Sequence, residues 1–276
     1  MPEKQKISVL MSVYVKENPT FLRDAIKSVQ NQTLKPSELV LVEDGPLTPE
    51  LYQVLEEVEA QSDIPVKRCP LEQNQGLGLA LRYGVLQCQH DIIARMDTDD
   101  LAVPDRFEKQ LQLMEKEDLD LLGGHIAEFI DNPDEIVSYR RVPTQHADIV
   151  AYQRMRSAFN HMTVMFKKDM VLKAGNYEDG LYMEDDLLWL NMIAAGAKTG
   201  NLDQILCKVR VGAGMFERRG GSRYLKLYRQ ARQRMLERGQ ISYMEYAKSV
   251  AIQAIVALCP GFVRQFIFVK LLRKRK

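Results

Sequence analysis

Apolar residues repeat along this chain with two periods. Ile7–Val13 (ISVLMSV), Glu38–Val42 (ELVLV), Pro65–Cys69 and Ile92–Met96 are short runs of the kind that a buried strand requires. Between them Phe21, Leu22, Ala25, Ile26 and Val29 recur at helical spacing, as do Leu51, Val54, Leu55 and Val58, and Gly76–Leu86 predicts a third helix. Thr48-Pro49-Glu50 supplies an N-cap with proline at the first helical position, and Glu43-Asp44-Gly45-Pro46 is a turn signal. Strand–helix units of this size predict an α/β fold with a mostly parallel sheet and helices on both faces. Ligands of such sheets bind beyond the carboxyl ends of the strands. Tyr14, Asp44 and Asp97 all fall at those ends, so three separate positions converge on one edge.

The second half is less regular. Leu119–Gly124, Ile126–Ile130, Ile136–Tyr139, Met162–Phe166 and Ile205–Val211 predict strands, and Lys168–Ala174 a short helix. Leu187, Leu188, Met192 and Ile193 mark a helix beginning near Glu184-Asp185-Asp186. Gly212–Ser222 has the composition of a loop, and two or three helices follow it.

Charge sharpens this division. The net charge of the 276 residues is only +1, yet residues 201–276 hold 17 Lys/Arg against 4 Asp/Glu. An acidic body with a basic C-terminal third points to an anionic surface partner. The 4 cysteines are scattered without C-x-x-C spacing, which fits a reduced cytosolic setting. The longest uncharged run, Ser249–Val263, is broken by Pro260-Gly261 and is shorter than the roughly 20 apolar residues of a spanning helix. No transmembrane segment is predicted.

The run Arg95-Met96-Asp97-Thr98-Asp99-Asp100 closes the fourth apolar strand. Clustered carboxylates repel one another unless a cation sits among them. Hard oxygen donors of this kind suit Mg²⁺ or Mn²⁺, which bring substrate phosphates with them. A calcium loop is excluded, because Leu101 stands where a ligand is needed and Ala102 where the loop needs glycine.

Six segments in order resemble family 2 glycosyltransferases of the GT-A fold, over roughly residues 6–215. They are Ile7–Tyr14, Ser28–Thr33, Glu38–Gly45, Asn74–Gly78, Met96–Asp100 with Pro104 and Arg106, and Glu184–Trp189. Within that family the chain resembles bacterial enzymes that build capsule, exopolysaccharide or O-antigen units. The resemblance implies that Asp99 is the metal ligand, with Asp97 on the metal shell or the nucleotide ribose. It implies that Asp44 accepts the N3–H of uracil, with Tyr14 and Glu17 flanking base and ribose. Gly76 permits close backbone approach at a helix start that favours anions, and Arg82 lies six residues along that helix, toward phosphate. Asp185 becomes the general base that deprotonates an acceptor hydroxyl, as inverting transfer requires, with Glu184 and His161 on the acceptor side. Arg218 and Arg219 suit a clamp on the donor diphosphate. Two departures stand out: the family's usual Asp-Asp is Glu43-Asp44 here, and Pro46 replaces a serine.

The expected division is a transferase domain over 1–222 and a helical, basic and apolar tail over 223–276. Val250, Ile252, Ile255, Leu258, Phe262, Phe266 and Leu271, with Arg264, Lys270 and Arg273–Lys276, suit an interfacial segment on an anionic membrane. The expected activity is transfer from a nucleotide-sugar, a UDP-sugar first, to a polyprenyl-diphosphate-linked saccharide at the cytoplasmic face of the membrane. No nucleic-acid partner is expected. A sugar-phosphate nucleotidylyltransferase is disfavoured, since Tyr14–Pro19 holds neither glycine nor arginine. A non-catalytic, sugar-nucleotide-binding subunit is the remaining alternative.

Overall fold

The computed structural model describes residues 5–179, 183–212 and 221–259. Its first half alternates β1 (Ile7–Val13), α1 (Pro19–Gln30), β2 (Glu38–Glu43), α2 (Pro49–Gln61), β3 (Val66–Pro70), α3 (Leu77–Gln87) and β4 (Ile92–Arg95). The four strands are parallel, in the order β3-β2-β1-β4. Local signals fix the helix starts. Asn18 accepts hydrogen bonds from Thr20 N and Phe21 N ahead of Pro19, and Thr48 Oγ1 accepts one from Leu51 N ahead of Pro49.

The second half adds β5 (Leu101–Ala102), α4 (Arg106–Glu117), β6 (Leu121–Phe129), β7 (Ser138–Arg140), α5 (His146–Gln153), a 3₁₀ turn at His161–Thr163 and β8 (Met165–Lys167). It continues with α6 (Lys168–Lys173), α7 (Glu184–Ala194), β9 (Thr199–Arg210), α8 (Gly221–Glu237) and α9 (Tyr243–Leu258). The sheet runs on as β4-β8-β6-β9-β5, with β7 paired to β6. It is mixed here: β6 and β9 are parallel, whereas the β4–β8, β6–β8, β5–β9 and β6–β7 pairs are antiparallel.

Apolar side chains cover both faces of the sheet. One layer joins Val9, Met11, Leu22, Ile26, Leu41, Leu51, Phe107 and Met114, from β1, β2, α1, α2 and α4. The other joins Leu10, Val40, Leu81, Val85, Phe166, Val171, Leu188 and Trp189, from α3, α6 and α7 against the opposite face. The hairpin of α8 and α9 adds a third cluster, with Ala231, Met235 and Ile241 against Leu187 and Leu190 of α7.

Three expectations are corrected. Residues Leu119–Gly124 and Ile126–Ile130, read as two strands, form the single strand β6, whose register against β9 shifts at Gly124–His125–Ile126. The ladder with β9 carries the chain through its glycine pair. A Cβ at Gly123 would lie 2.4 Å from Asn201 Oδ1, and one at Gly124 would lie 2.4 Å from Leu206 Cδ1. Met162 belongs to a 3₁₀ turn rather than a strand, because Thr163 Oγ1 donates to Asn160 O at 2.7 Å and closes the backbone there. β9 begins at Thr199, ahead of the expected Ile205, since Thr199–Leu202 pair with Leu121–Gly124 despite their polar sequence.

Candidate active site

The site is assembled at the carboxyl ends of β1, β2 and β4. After β1, Glu17 N donates to Tyr14 O at 3.0 Å, which turns the chain into α1. Glu17 Oε2 accepts from Thr98 Oγ1 at 2.6 Å and so ties this turn to the acidic loop. Tyr14 is exposed at the rim.

After β2, Asp44 is buried and its carboxylate gathers the loop before α3. Asp44 Oδ1 accepts from Gln75 N at 2.7 Å, while Oδ2 accepts from Gly76 N at 3.1 Å and Asn74 Nδ2 at 3.0 Å. Gly45 makes this approach possible: its φ is +85°, and a Cβ there would lie 2.6 Å from Asn74 N. The departure at Glu43 has a local reason, since that carboxylate accepts from Arg68 Nε of β3 at 2.6 Å. Gly78, in the first turn of α3, brings the helix against the acceptor side. A Cβ there would lie 2.6 Å from Glu178 O and 2.9 Å from Glu184 Cβ.

After β4, one oxygen from each of Asp97, Asp99 and Asp100 falls within 4.8 Å of the others. The loop is held on every side. Arg95 Nη2 pairs with Asp97 Oδ1, Arg210 N donates to Asp100 Oδ1 at 2.9 Å, and Ser28 Oγ accepts from Ala102 N at 3.0 Å. Burial, with Asp97 and Glu17 nearby, pushes the Asp99 carboxyl up to about 7. Burial and the neighbouring Asp99 and Asp97 push Asp100 well above the ordinary carboxylate range. All-oxygen donors with this unbalanced charge suit a hard divalent cation.

The expected acceptor side starts with α7. Glu184, Asp185 and Asp186 occupy its first turn. Burial and the adjacent Asp186 and Glu184 push the Asp185 carboxyl up to about 8, and burial raises Glu184 as well. Asp186 points away from this role, because its carboxylate accepts from Gln153 Nε2 at 2.7 Å. His161 Nε2 lies 2.9 Å from Tyr177 Oη, and both rings pack against Trp189, which serves the core. Burial first, and then Arg95, hold His161 well below its ordinary value, so the ring is neutral. The two acid groups share one electrostatic neighbourhood: Asp97 acts on Glu184, and Arg95 acts on Asp99, Asp100, Glu184 and Asp185.

Arg82 stands apart. Its Nη1 donates to Tyr177 O at 2.9 Å, tying α3 to the segment that leads toward α7. Arg218 and Arg219 lie outside the described residues. Sequence reasoning gave no individual role to Asp100, Tyr177 or Arg95, although Asp100 and Arg95 stand in the run it singled out. For Tyr177 the sequence carried no signal. For Arg95 it did: a lone charge ends the buried run Ile92-Ile93-Ala94.

Comparison with known proteins completes the description. The family described as "Glycosyl transferase family 2" matches residues 8–172. The amylovoran biosynthesis glycosyltransferase AmsE of Erwinia amylovora is 39% identical over 264 residues, covering 95% of this chain and 98% of its own. The UDP-Gal:alpha-D-GlcNAc-diphosphoundecaprenol beta-1,3-galactosyltransferase of Escherichia coli is 35% identical over 270 residues, covering 98% of this chain and 97% of its own. Among solved structures, the mannosyltransferase PcManGT from Pyrobaculum calidifontis, in complex with GDP-Man and Mn²⁺, superposes with a TM-score of 0.61. Its identity is 13%, over 98% of this chain and 81% of that one, a likeness of fold.

Proposed function

This chain belongs to glycosyltransferase family 2, and on that premise we propose that it is a metal-dependent inverting transferase. It moves a sugar from a UDP-linked donor to a hydroxyl of a polyprenyl-diphosphate-linked saccharide, in the assembly of a cell-surface polysaccharide. The observation that carries this reading is the pairing, in one electrostatic neighbourhood, of the Asp97–Asp99–Asp100 cluster with the proton-retaining Asp185. The E. coli relative supports the donor and acceptor classes, and the Erwinia relative supports the polysaccharide context.

Asp99 and Asp97 would hold Mn²⁺ or Mg²⁺, with Asp100 completing the oxygen set. Such a cation, when bound, would neutralise the diphosphate of the leaving group. Asp44 presents its remaining acceptor capacity to the N3–H of the base, with Tyr14 and Glu17 beside base and ribose. Asp185 takes the proton of the acceptor hydroxyl as that oxygen attacks the anomeric carbon. A carboxyl whose proton affinity is pushed up to about 8 is, once ionised, a stronger base than an ordinary carboxylate. One-step inversion needs no second carboxylate as nucleophile. His161 and Glu184 line the acceptor side, and Arg218 and Arg219 clamp the diphosphate.

The C-terminal region brings the enzyme to its substrate. Ile252, Ile255 and Leu258 of α9 are exposed, and no helix among the described residues is long and apolar enough to cross a membrane. The sequence beyond α9 adds apolar residues and six positive charges, which suit contact with the anionic cytoplasmic face.

Release of UDP from a panel of UDP- and dTDP-sugars, with and without Mn²⁺ and a polyprenyl-diphosphate-linked acceptor, tests the reaction. Release that requires both metal and acceptor supports it, and no release from any donor rejects it. Truncation after Leu258 is expected to abolish co-flotation with vesicles containing anionic lipid. Unchanged flotation rejects the membrane role.

A further inference from the structure

Arg95 ends β4 and is among the largest wholly buried side chains, its side chain only 2% exposed. Side chains alternate across a strand. Ile92 and Ala94 pack with α1, α2 and α4, and Ile93 packs on the opposite face with α3 and α7. Arg95 follows Ile93 onto that second face, beside the acidic loop. Its Nη2 pairs with Asp97, whereas Nε and Nη1 are buried with no hydrogen-bond partner among the described residues. Buried charged donors without acceptors are costly and rare in native proteins, so this edge of the guanidinium calls for an acceptor.

Glu184 is the acceptor that the surroundings favour. It lies in the first turn of α7, its carboxylate has no hydrogen-bonding side chain as partner among the described residues, and Arg95 is the leading opposite charge acting on it. Its Cβ is pinned against α3 where Gly78 leaves room. Most of the other groups near Arg95 already have partners: Asp186 accepts from Gln153, Asp100 accepts from Arg210 N, Asp185 accepts from Asp186 N, and the Tyr177 hydroxyl meets His161.

We propose that Arg95 is a positioning residue that bridges the two halves of the site, holding Asp97 through Nη2 and receiving the Glu184 carboxylate on its Nε–Nη1 edge in the donor-loaded enzyme. The bridge fixes the first turn of α7 and thereby places Asp185 opposite the sugar, an inference that rests on the catalytic reading above. Lysine keeps the charge but has no fork to span two carboxylates.

The test is a cycle of R95K, E184A and the double variant. R95K is expected to lower kcat about 10- to 100-fold while the Kd for UDP with Mn²⁺ stays within about threefold. The double variant should be no more than about twofold slower than the slower single variant. Losses that multiply, or a loss of UDP affinity at unchanged kcat, would overturn the bridge. If R95K does not fold, a crystal structure of the wild-type protein with UDP and Mn²⁺ decides. A Glu184 oxygen within about 3 Å of Nε or Nη1 supports the proposal. Either nitrogen on a nucleotide phosphate, or both without Glu184, refutes it. That structure reads the pairing even if the wild-type protein transfers no sugar, so the two failures are distinguishable.

Discussion

In the half of the sheet formed by β1 to β4, strands are packed between apolar layers, and their order follows from hydrophobic burial. Leu10 and Val42 close so tightly over Gly84 of α3 that a Cβ there would lie 2.4 Å from Leu10 Cδ1. In the half formed by β6, β8 and β9, buried polar side chains do the joining. Asn160 donates to Gly124 O at 2.7 Å and accepts from Arg140 at 2.7 Å. Gln110 donates to Thr163 O at 2.8 Å and to Leu122 O at 3.1 Å, and Arg106 Nη2 donates to Arg95 O at 2.8 Å. The first half uses a force that tolerates small shifts, and it carries the proposed nucleotide platform. The second uses directional bonds that fix position, and the proposed base, Asp185, stands on α7 between β8 and β9 in the chain. Transfer demands alignment of the attacking hydroxyl with the anomeric carbon, so the directional half sits where misplacement costs most.

Separating binding from turnover gives the largest expected effect. Asp185→Asn should lower kcat by about 10³-fold, within the range of general-base catalysis, with the Kd for UDP and Mn²⁺ within about twofold of wild type. Steady-state kinetics and calorimetry check this, and a kcat within tenfold of wild type would move the base elsewhere. Asp99→Ala acts on the other side of the comparison. It should weaken Mn²⁺-dependent UDP binding at least about tenfold while leaving metal-free UDP binding unchanged. Equal losses with and without Mn²⁺ would remove Asp99 from the metal site.

The contrast in packing predicts two kinds of stability loss. Asn160→Ala leaves Gly124 O and the Arg140 guanidinium short of a partner, and should cost about 2–3 kcal/mol. Gly84→Ala should cost about 1–3 kcal/mol through overpacking against Leu10 and Val42. The sharper expectation is in function: at a temperature where both variants stay folded, Asn160→Ala raises the acceptor KM and Gly84→Ala does not. Acceptor KM values that match would erase the distinction between the halves.

The last comparison concerns pH. Asp99 and Asp185 hold their protons up to about 7 and about 8 in the folded state, against about 4 in an unfolded chain. Between those limits the native state binds more protons than the unfolded one, so stability falls as pH rises. In EDTA, Tm should therefore fall from pH 5.5 to pH 8.5, and Mn²⁺ should recover most of the loss. Asp185→Asn removes part of the dependence and should raise Tm at pH 8.5. A flat profile in EDTA would show that these carboxyls carry no such burden.

Much of the nucleotide half was legible in the chain, because each of its elements carries its own local signal. β1, β2 and β4 are apolar runs, Asn18 and Thr48 cap their helices, Asp44 and Asp97 follow strand ends, and Gly76 immediately precedes α3. The acceptor half was less so. The single strand β6, the 3₁₀ turn at His161–Thr163 and the early start of β9 depend on pairings between residues far apart, such as Gly124 with Asn160 and Leu121 with Thr199. The acidic residues of both halves could be named from sequence. Their proton affinities could not, since these follow from burial and from neighbours brought in by other elements.

The sequence by itself determined the alternating architecture, the strand ends at which the acidic loop lies and the carboxylates proposed to hold a cation or take a proton. Periodicity and local backbone preference are enough for that. Only the tertiary structure decided that Asp44 gathers the loop before α3, that Asp186 is engaged by Gln153, and that Arg95 lies buried beside Asp97 with one edge unfilled. Hydrogen bonding and desolvation depend on what the folded chain places within a few ångströms, and that distance is not written in the order of residues.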